Sequence, residues 1–145
     1  MNLNDPASLM LPTEVTLSAW IKPSGSIGQY ATIVGRWGAT TSYMLSKYDT
    51  TLHMTVNNNA QTVTTAFAPL ADGNWHHVTG MADARSGLLR VFIDGIQQNS
   101  NPYSGTMTTA ASTVAIGTNP GYTLYVWKGL LDDCLLYTSP SPRDS

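Results

Sequence analysis

The sequence predicts an all-β fold, an antiparallel two-sheet sandwich, and three observations lead to it. Apolar and polar residues alternate with a period of two in one segment after another. Gly, Pro, Asn and Asp clusters break these segments at intervals of about 8–12 residues, the spacing of short strands joined by tight turns. No stretch carries the 3.6-residue apolar period of a useful amphipathic helix, and no internal repeat is sustained. With 145 residues the chain is one domain's worth, enough to enclose a hydrophobic core.

The first clear strand is "EVTLSAWIKP", where Val15, Leu17, Ala19 and Ile21 alternate with Thr16, Ser18, Trp20 and Lys22. Pro23-Ser24-Gly25-Ser26 ends it with turn chemistry. "YATIVGRWG" (Tyr30 to Gly38) and "SYMLSKY" (Ser42 to Tyr48) form the next pair, followed by "TLHMTVNNN" and "QTVTTAF". Pro69 to Asn74 reads as a loop. "WHHVTGMAD" places Trp75, His77, Thr79 and Met81 on one face and His76, Val78 and Gly80 on the other. After the turn Arg85-Ser86-Gly87, Leu89, Val91 and Ile93 alternate with Arg90 and Phe92. Asp94-Gly95 then predicts a type I′ hairpin, because both central residues of that turn need positive φ. "NSNPYSGTMTTAAS" reads as a polar linker to "TVAIGT" and a final strand "TLYVWKGLLDD".

Composition narrows the function classes. Charged residues make up 11% of the chain and the net charge is −2, so no basic face exists to neutralise nucleic-acid phosphates or anionic lipid. No apolar run approaches the roughly 20 residues of a membrane span. Low charge with abundant Thr, Ser, Asn and Gly suits extracellular β-proteins, which predicts an extracellular or cell-surface location. The single cysteine cannot close an internal disulfide.

The segments "VTLSAWIKP", "ATIVGRWG", "DGNWHHVTGMAD", "LLRVFIDG", "VAIGT" and "WKGLLDD" occur in an order that resembles laminin-G-like, concanavalin-A-like domains, over about Leu3 to Asp133. The most specific part is Asn74-Trp75-His76-His77-Val78 followed by Leu89-Arg90 through Asp94-Gly95. The resemblance implies a jelly-roll sandwich, a fold that hosts lectins, glycan-binding modules, adhesion domains and some glycosidases. It also implies that residues 1–133 are the domain with its usual N-terminal strand missing. Back-translated with permissible codons, Cys134 to Asp144 resembles a sequencing-library adapter, so 134–145 is expected to be a non-native tail.

Glycoside hydrolysis normally needs a carboxylate pair across the scissile bond, and the chain has one glutamate, Glu14, at a strand edge. Asp5, Asp49, Asp72, Asp83 and Asp94 fall in predicted turns, where Asp serves the backbone. No catalytic residue is assigned, and the chain is expected not to be an enzyme. His76 and His77 point to opposite faces and His53 has no evident partner, so all three are expected to be structural, held by backbone hydrogen bonds. No cofactor is assigned outright. Calcium is the one to consider, because Asp132 matches an acidic position resembling a calcium ligand of the related glucanases; the alternative is an edge-strand acid facing solvent.

Aromatic residues remain, since sugar rings stack on exposed Trp or Tyr. The resemblance assigns Trp20, Trp75 and Trp127 to packing. Trp37, in a loop flanked by glycines, with Arg36 beside it, is the candidate ligand contact, followed by Tyr122 and Tyr125. The expected function is a non-catalytic binding or adhesion module for a glycan or an extracellular protein, covalently part of a larger multidomain chain. A structural spacer or protein-interaction domain without a sugar site is the alternative, and a glycoside hydrolase the third.

Overall fold

A computed structural model describes residues 2–3, 14–37, 41–107, 113–118 and 125–138. Among these, eleven strands and a single turn of 3-10 helix (Ala68–Leu70) account for the regular structure. In chain order the strands are β1 (Asn2–Leu3), β2 (Val15–Pro23), β3 (Tyr30–Trp37), β4 (Thr41–Tyr48), β5 (Thr51–Val56) and β6 (Gln61–Ala66). They continue with β7 (His76–Asp83), β8 (Leu88–Ile93), β9 (Ile96–Pro102), β10 (Thr113–Ile116) and β11 (Gly129–Thr138). All pairings are antiparallel, in a six-stranded sheet ordered β1-β10-β3-β4-β5-β6 and a five-stranded sheet ordered β11-β2-β7-β8-β9. The all-β sandwich expected from the alternation is what the chain forms.

The alternation works because each strand turns one row of side chains inward. Val15, Leu17, Ala19 and Ile21 of β2, Val78 and Ala82 of β7, and Leu89 and Val91 of β8 form the inner face of the five-stranded sheet. Ile33 and Val34, Tyr43 and Leu45, Leu52, Met54 and Val56, and Val63 meet them from the other sheet. Burial of these rows is the main favourable term in folding, at about 25 cal/mol per Å² of apolar surface. Gly80 sets the spacing at the centre: a Cβ there would lie 2.6 Å from Met54 Sδ on the facing sheet. Asp94 (φ 51°) and Gly95 (φ 81°) both adopt positive φ in the β8–β9 hairpin, as the type I′ turn requires.

Four local expectations are corrected. Asn57, Asn58 and Asn59 do not extend β5; all three take positive φ in the β5–β6 turn, a conformation Asn tolerates better than most residues. Asn99 to Pro102 are not linker but the second half of β9, paired with β8. Their side chains explain why a polar segment holds as a strand. Asn99 Nδ2 donates to Thr64 O at 2.9 Å and Asn101 Nδ2 to Thr62 O at 2.8 Å, tying the edge strand of one sheet to that of the other. The last strand begins at Gly129, not within "TLYVW", because Tyr125 O and Trp127 N are taken by Thr32 N and Gly117 O. Trp37 is the last residue of β3, opposite Thr41 and Thr113, and not in a loop. The segment expected to be non-native contributes Cys134 to Thr138 to β11, with Leu135 to Thr138 paired to Ser18 to Val15 after a bulge.

Candidate functional site

The six-stranded sheet turns Tyr30 and Thr32 of β3, Ser42, Met44, Ser46 and Tyr48 of β4, and His53 and Thr55 of β5 away from the core. These residues alternate with inward-facing neighbours of the same strands. Thr32, Met44, Ser46, His53 and Thr55 are nonetheless buried. At the end of this face three tyrosines gather. Tyr30 and Tyr48 are cross-strand partners with ring centroids 4.8 Å apart, and Tyr125 lies 5.2 Å from Tyr30 on its other side. Tyr48 also packs at 5.0 Å on the His53 ring. Tyr48 is 45% exposed, so the cluster shows one ring to solvent and half-buries two.

The three tyrosines border a small cavity of about 10 Å³, lined also by Ala31, Thr32, Met44, Ser46, Lys47 and Asn59. That is room for about one water-sized group. Ser46 Oγ and His53 Nδ1, on directly paired residues, are buried with no hydrogen-bond partner among the described residues. A buried polar atom left unpaired costs about 1–3 kcal/mol, so this face carries an unmet demand for a polar group. Burial lowers the His53 pKa to about 4, leaving the ring neutral near neutral pH. Tyr30 is raised, by burial first and then by Tyr48, Asp49 and Tyr125.

The residues singled out by sequence are scattered relative to this cluster. Tyr125 is part of it. Arg36 is buried and donates from Nη1 to Ser42 Oγ at 2.6 Å, so its guanidinium is not displayed at the surface. Trp37 is placed by its backbone at the end of β3, and its side chain and the whole of Tyr122 lie outside the described residues. Asp132 is exposed on β11 and spends Oδ1 on the amide of Asp133 at 2.8 Å. Among the described residues no three His, Cys, Asp or Glu side chains converge as a metal site would require. Glu14 is within 3.9 Å of Arg85 Nε, which makes it an ion-pair residue.

Trp127 is in the core against Phe67, as the packing expectation has it. Trp20 and Trp75 are not: both stay about two-fifths exposed, Trp20 edge-on to His77 at 5.2 Å. The histidine expectation also needs correction. His76 is held by carboxylates, not backbone: Nδ1 meets Asp94 Oδ2 and Nε2 meets Asp72 Oδ1, each at 2.8 Å. With an acceptor on both ring nitrogens the doubly protonated ring is favoured. Its pKa is raised by Asp94 and then Asp72, Asp72 falls to about 2, and Asp94 is lowered. Asp94 Oδ1 also accepts from His77 N, and Asp72 Oδ1 from Asn74 N. The most specific sequence motif, the His pair with the later Asp-Gly, is thus a clamp between a loop and a hairpin turn.

The sequence does not mark Tyr30, Tyr48 and Ser46 as candidate site residues, and it assigns His53 a structural role. The signal was present in "SYMLSKY", whose Ser42, Met44, Ser46 and Tyr48 form a second face opposite Tyr43 and Leu45. Only the β3–β4 register brings Tyr30 to Tyr48.

A family model described as the concanavalin A-like lectin/glucanases superfamily, of the laminin-G type, matches residues 1–143. No curated protein matches the chain. Among solved structures, mouse laminin alpha1 chain domains LG4-5 superpose with a TM-score of 0.65 at 17% identity, over 86% of this chain and 35% of that one. Domain 4 of AbnA, a GH43 extracellular arabinanase from Geobacillus stearothermophilus, in complex with arabinotriose, gives 0.67 at 21%, covering 94% and 65%. The Ruminococcus gnavus IT-sialidase CBM40 bound to alpha2,3 sialyllactose gives 0.71 at 14%, covering 90% and 79%. At these identities the likeness is one of fold.

Proposed function

We propose, on the premise that this chain belongs to the concanavalin A-like lectin/glucanases superfamily, that it is a non-catalytic carbohydrate-binding or adhesion module of a larger secreted or cell-surface protein. The observation that carries the reading is the Tyr30–Tyr48–Tyr125 cluster over a cavity with an unpartnered buried hydroxyl. Aromatic faces take the C–H faces of sugars, and a few placed polar groups orient them. Glycan-bound arabinanase and sialidase modules of the same fold support it. Elsewhere on the molecule, Asp72 and Asp94 are engaged by His76 and Glu14 faces Arg85, an arrangement that suits binding better than catalysis. Trp37 and Tyr122 belong to the proposal as further ligand contacts, each to be tested by its alanine variant.

A glycan array with wild-type protein and with Tyr48→Ala tests the reading. Wild-type binding that the variant loses supports it; no binding to any glycan by wild type sinks it. A protein-contact role is the second reading, favoured by the partly exposed Trp20 and Trp75. Trp20→Ala weakening attachment to a protein ligand, with glycan binding absent, would select it.

A further inference from the structure

The floor of the tyrosine site speaks to the class of sugar it takes, an inference that rests on the glycan-binding reading above. Ser46 is 2% exposed, lines the cavity, and its Oγ has no partner among the described residues. His53 stands directly across from it on β5, its Nδ1 equally unpartnered. A hydroxyl donates and accepts, and a neutral imidazole offers one nitrogen of each kind. Both sets of atoms match an alcohol; Ser46 lines the cavity while His53 stands outside its lining, and the space holds one hydroxyl.

The charges around it point the same way. Lys47, the cation lining the cavity, has its Nζ on Asp49 O at 2.6 Å and Gln29 O at 3.2 Å and lies 5.4 Å from the centre of the Phe67 ring. The Asp49 carboxylate, fixed by Gln29 Nε2 at 3.2 Å, keeps a negative charge near Tyr30. An acidic sugar seated here would lose water to its carboxylate or sulfate, find Lys47 engaged, and meet Asp49.

We propose that this recess is a specificity subsite for neutral sugars: Ser46, backed by His53, receives one hydroxyl, Tyr48 carries the ring, and acidic sugars are refused. The site selects by what it does not offer, since buried polar atoms built for an alcohol discriminate against a ligand that cannot pair them.

The test is an array carrying each neutral glycan beside its sialylated and sulfated counterparts, lactose beside sialyllactose among them, with affinities of the hits measured by titration. Wild type, Ser46→Ala and Ser46→Thr are compared, and their melting curves are recorded. The expected result is binding to neutral members at least about tenfold over their acidic counterparts. Ser46→Ala should lose about three- to tenfold in affinity, the loss of one neutral hydrogen bond, with no fall in melting temperature. Ser46→Thr, which keeps the hydroxyl, should retain more of the affinity. Equal or stronger binding of the acidic members overturns the specificity and leaves the binding function standing. Unchanged affinity in Ser46→Ala overturns the hydroxyl subsite alone. No glycan bound by wild type overturns the function itself.

Discussion

At His76 one ring holds two turns. Its nitrogens reach Asp72 in the loop before β7 and Asp94 in the β8–β9 turn. Its raised pKa makes stability fully present below about pH 6.5 and lost as pH rises through the folded value. Asp72 acts in the opposite range: held near 2, its contribution is present above its ordinary value of 3.8 and lost as pH falls toward 2. His53 has a third effect. Burial lowers it to about 4, so the unfolded chain binds more protons between 4 and 6.5, and stability falls as pH drops through that window. The three together predict maximal stability at about pH 6.5. Thermal melts from pH 3 to 9 check this. His53→Gln should flatten the limb between 4 and 6.5, and His76→Asn the alkaline limb. A melting temperature that rises steadily to pH 9 would contradict the His76 assignment.

The His pair and the Asp-Gly were both legible in the sequence, but their meeting was not. Spacing along a chain carries no sign that Asp94 of a hairpin tip lies over His76. The same holds for Arg36. Its position beside Trp37 suggested a surface contact, whereas the bulged β3–β4 pairing buries it against Ser42.

At the scale of elements, the two sandwich edges differ. On the β6–β9 side, Asn99 and Asn101 cap the carbonyls of Thr64 and Thr62, and Gln61 Oε1 accepts from Ser104 N. Free edge carbonyls and amides invite pairing with another chain, and here side chains occupy them. Replacing Asn99 and Asn101 by Ala should cost about 1 kcal/mol each and promote concentration-dependent association. Chemical denaturation and size-exclusion chromatography measure the two effects; a double variant as stable and as monomeric as wild type would remove the role. The second half of β9 is not legible from a period of two, because Asn99, Ser100 and Asn101 are polar on both sides and carry no alternation.

On β11, a bulge between Asp132 and Leu135 holds Asp133, at φ 48°, and Cys134. Asp132 already accepts from the Asp133 amide, and no third acid joins it among the described residues. Calcium ligation normally needs six to eight oxygens. Millimolar calcium is therefore expected to leave the melting temperature unmoved. A rise that Asp132→Asn abolishes would establish calcium at Asp132.

For the molecule as a whole, fold class and most strands could be read from the alternation, because a sandwich buries one face of every strand. The tyrosine face could not, since its residues come together only through the order of strands across a sheet. The segment from Cys134 shows the limit from the other side. Its origin as an adapter-derived tail remains a proposal, yet Leu135 to Thr138 pair with β2, and Cys134 and Leu136 pack on the core. Backbone pairing needs only an extended, apolar-leaning partner, which Leu135 to Thr138 supply whatever their origin. Ending the chain after Asp133 should lower the melting temperature by about 5–10 °C and leave β2 with an open edge. Calorimetry of the shortened chain decides; an unchanged melt would make the segment dispensable.

The placement of β2 also sets an order of events. It lies between β7 and β11, and β1 pairs with β10, so early and late parts of the chain are neighbours. On a ribosome adding about 5–20 residues per second, β2 would wait roughly 5 to 20 s after its own synthesis for β11 to emerge. Through that interval one side of a strongly apolar strand has no partner. Whether this protein is recovered soluble should therefore depend on translation speed and chaperone supply during that wait, before any ligand is met.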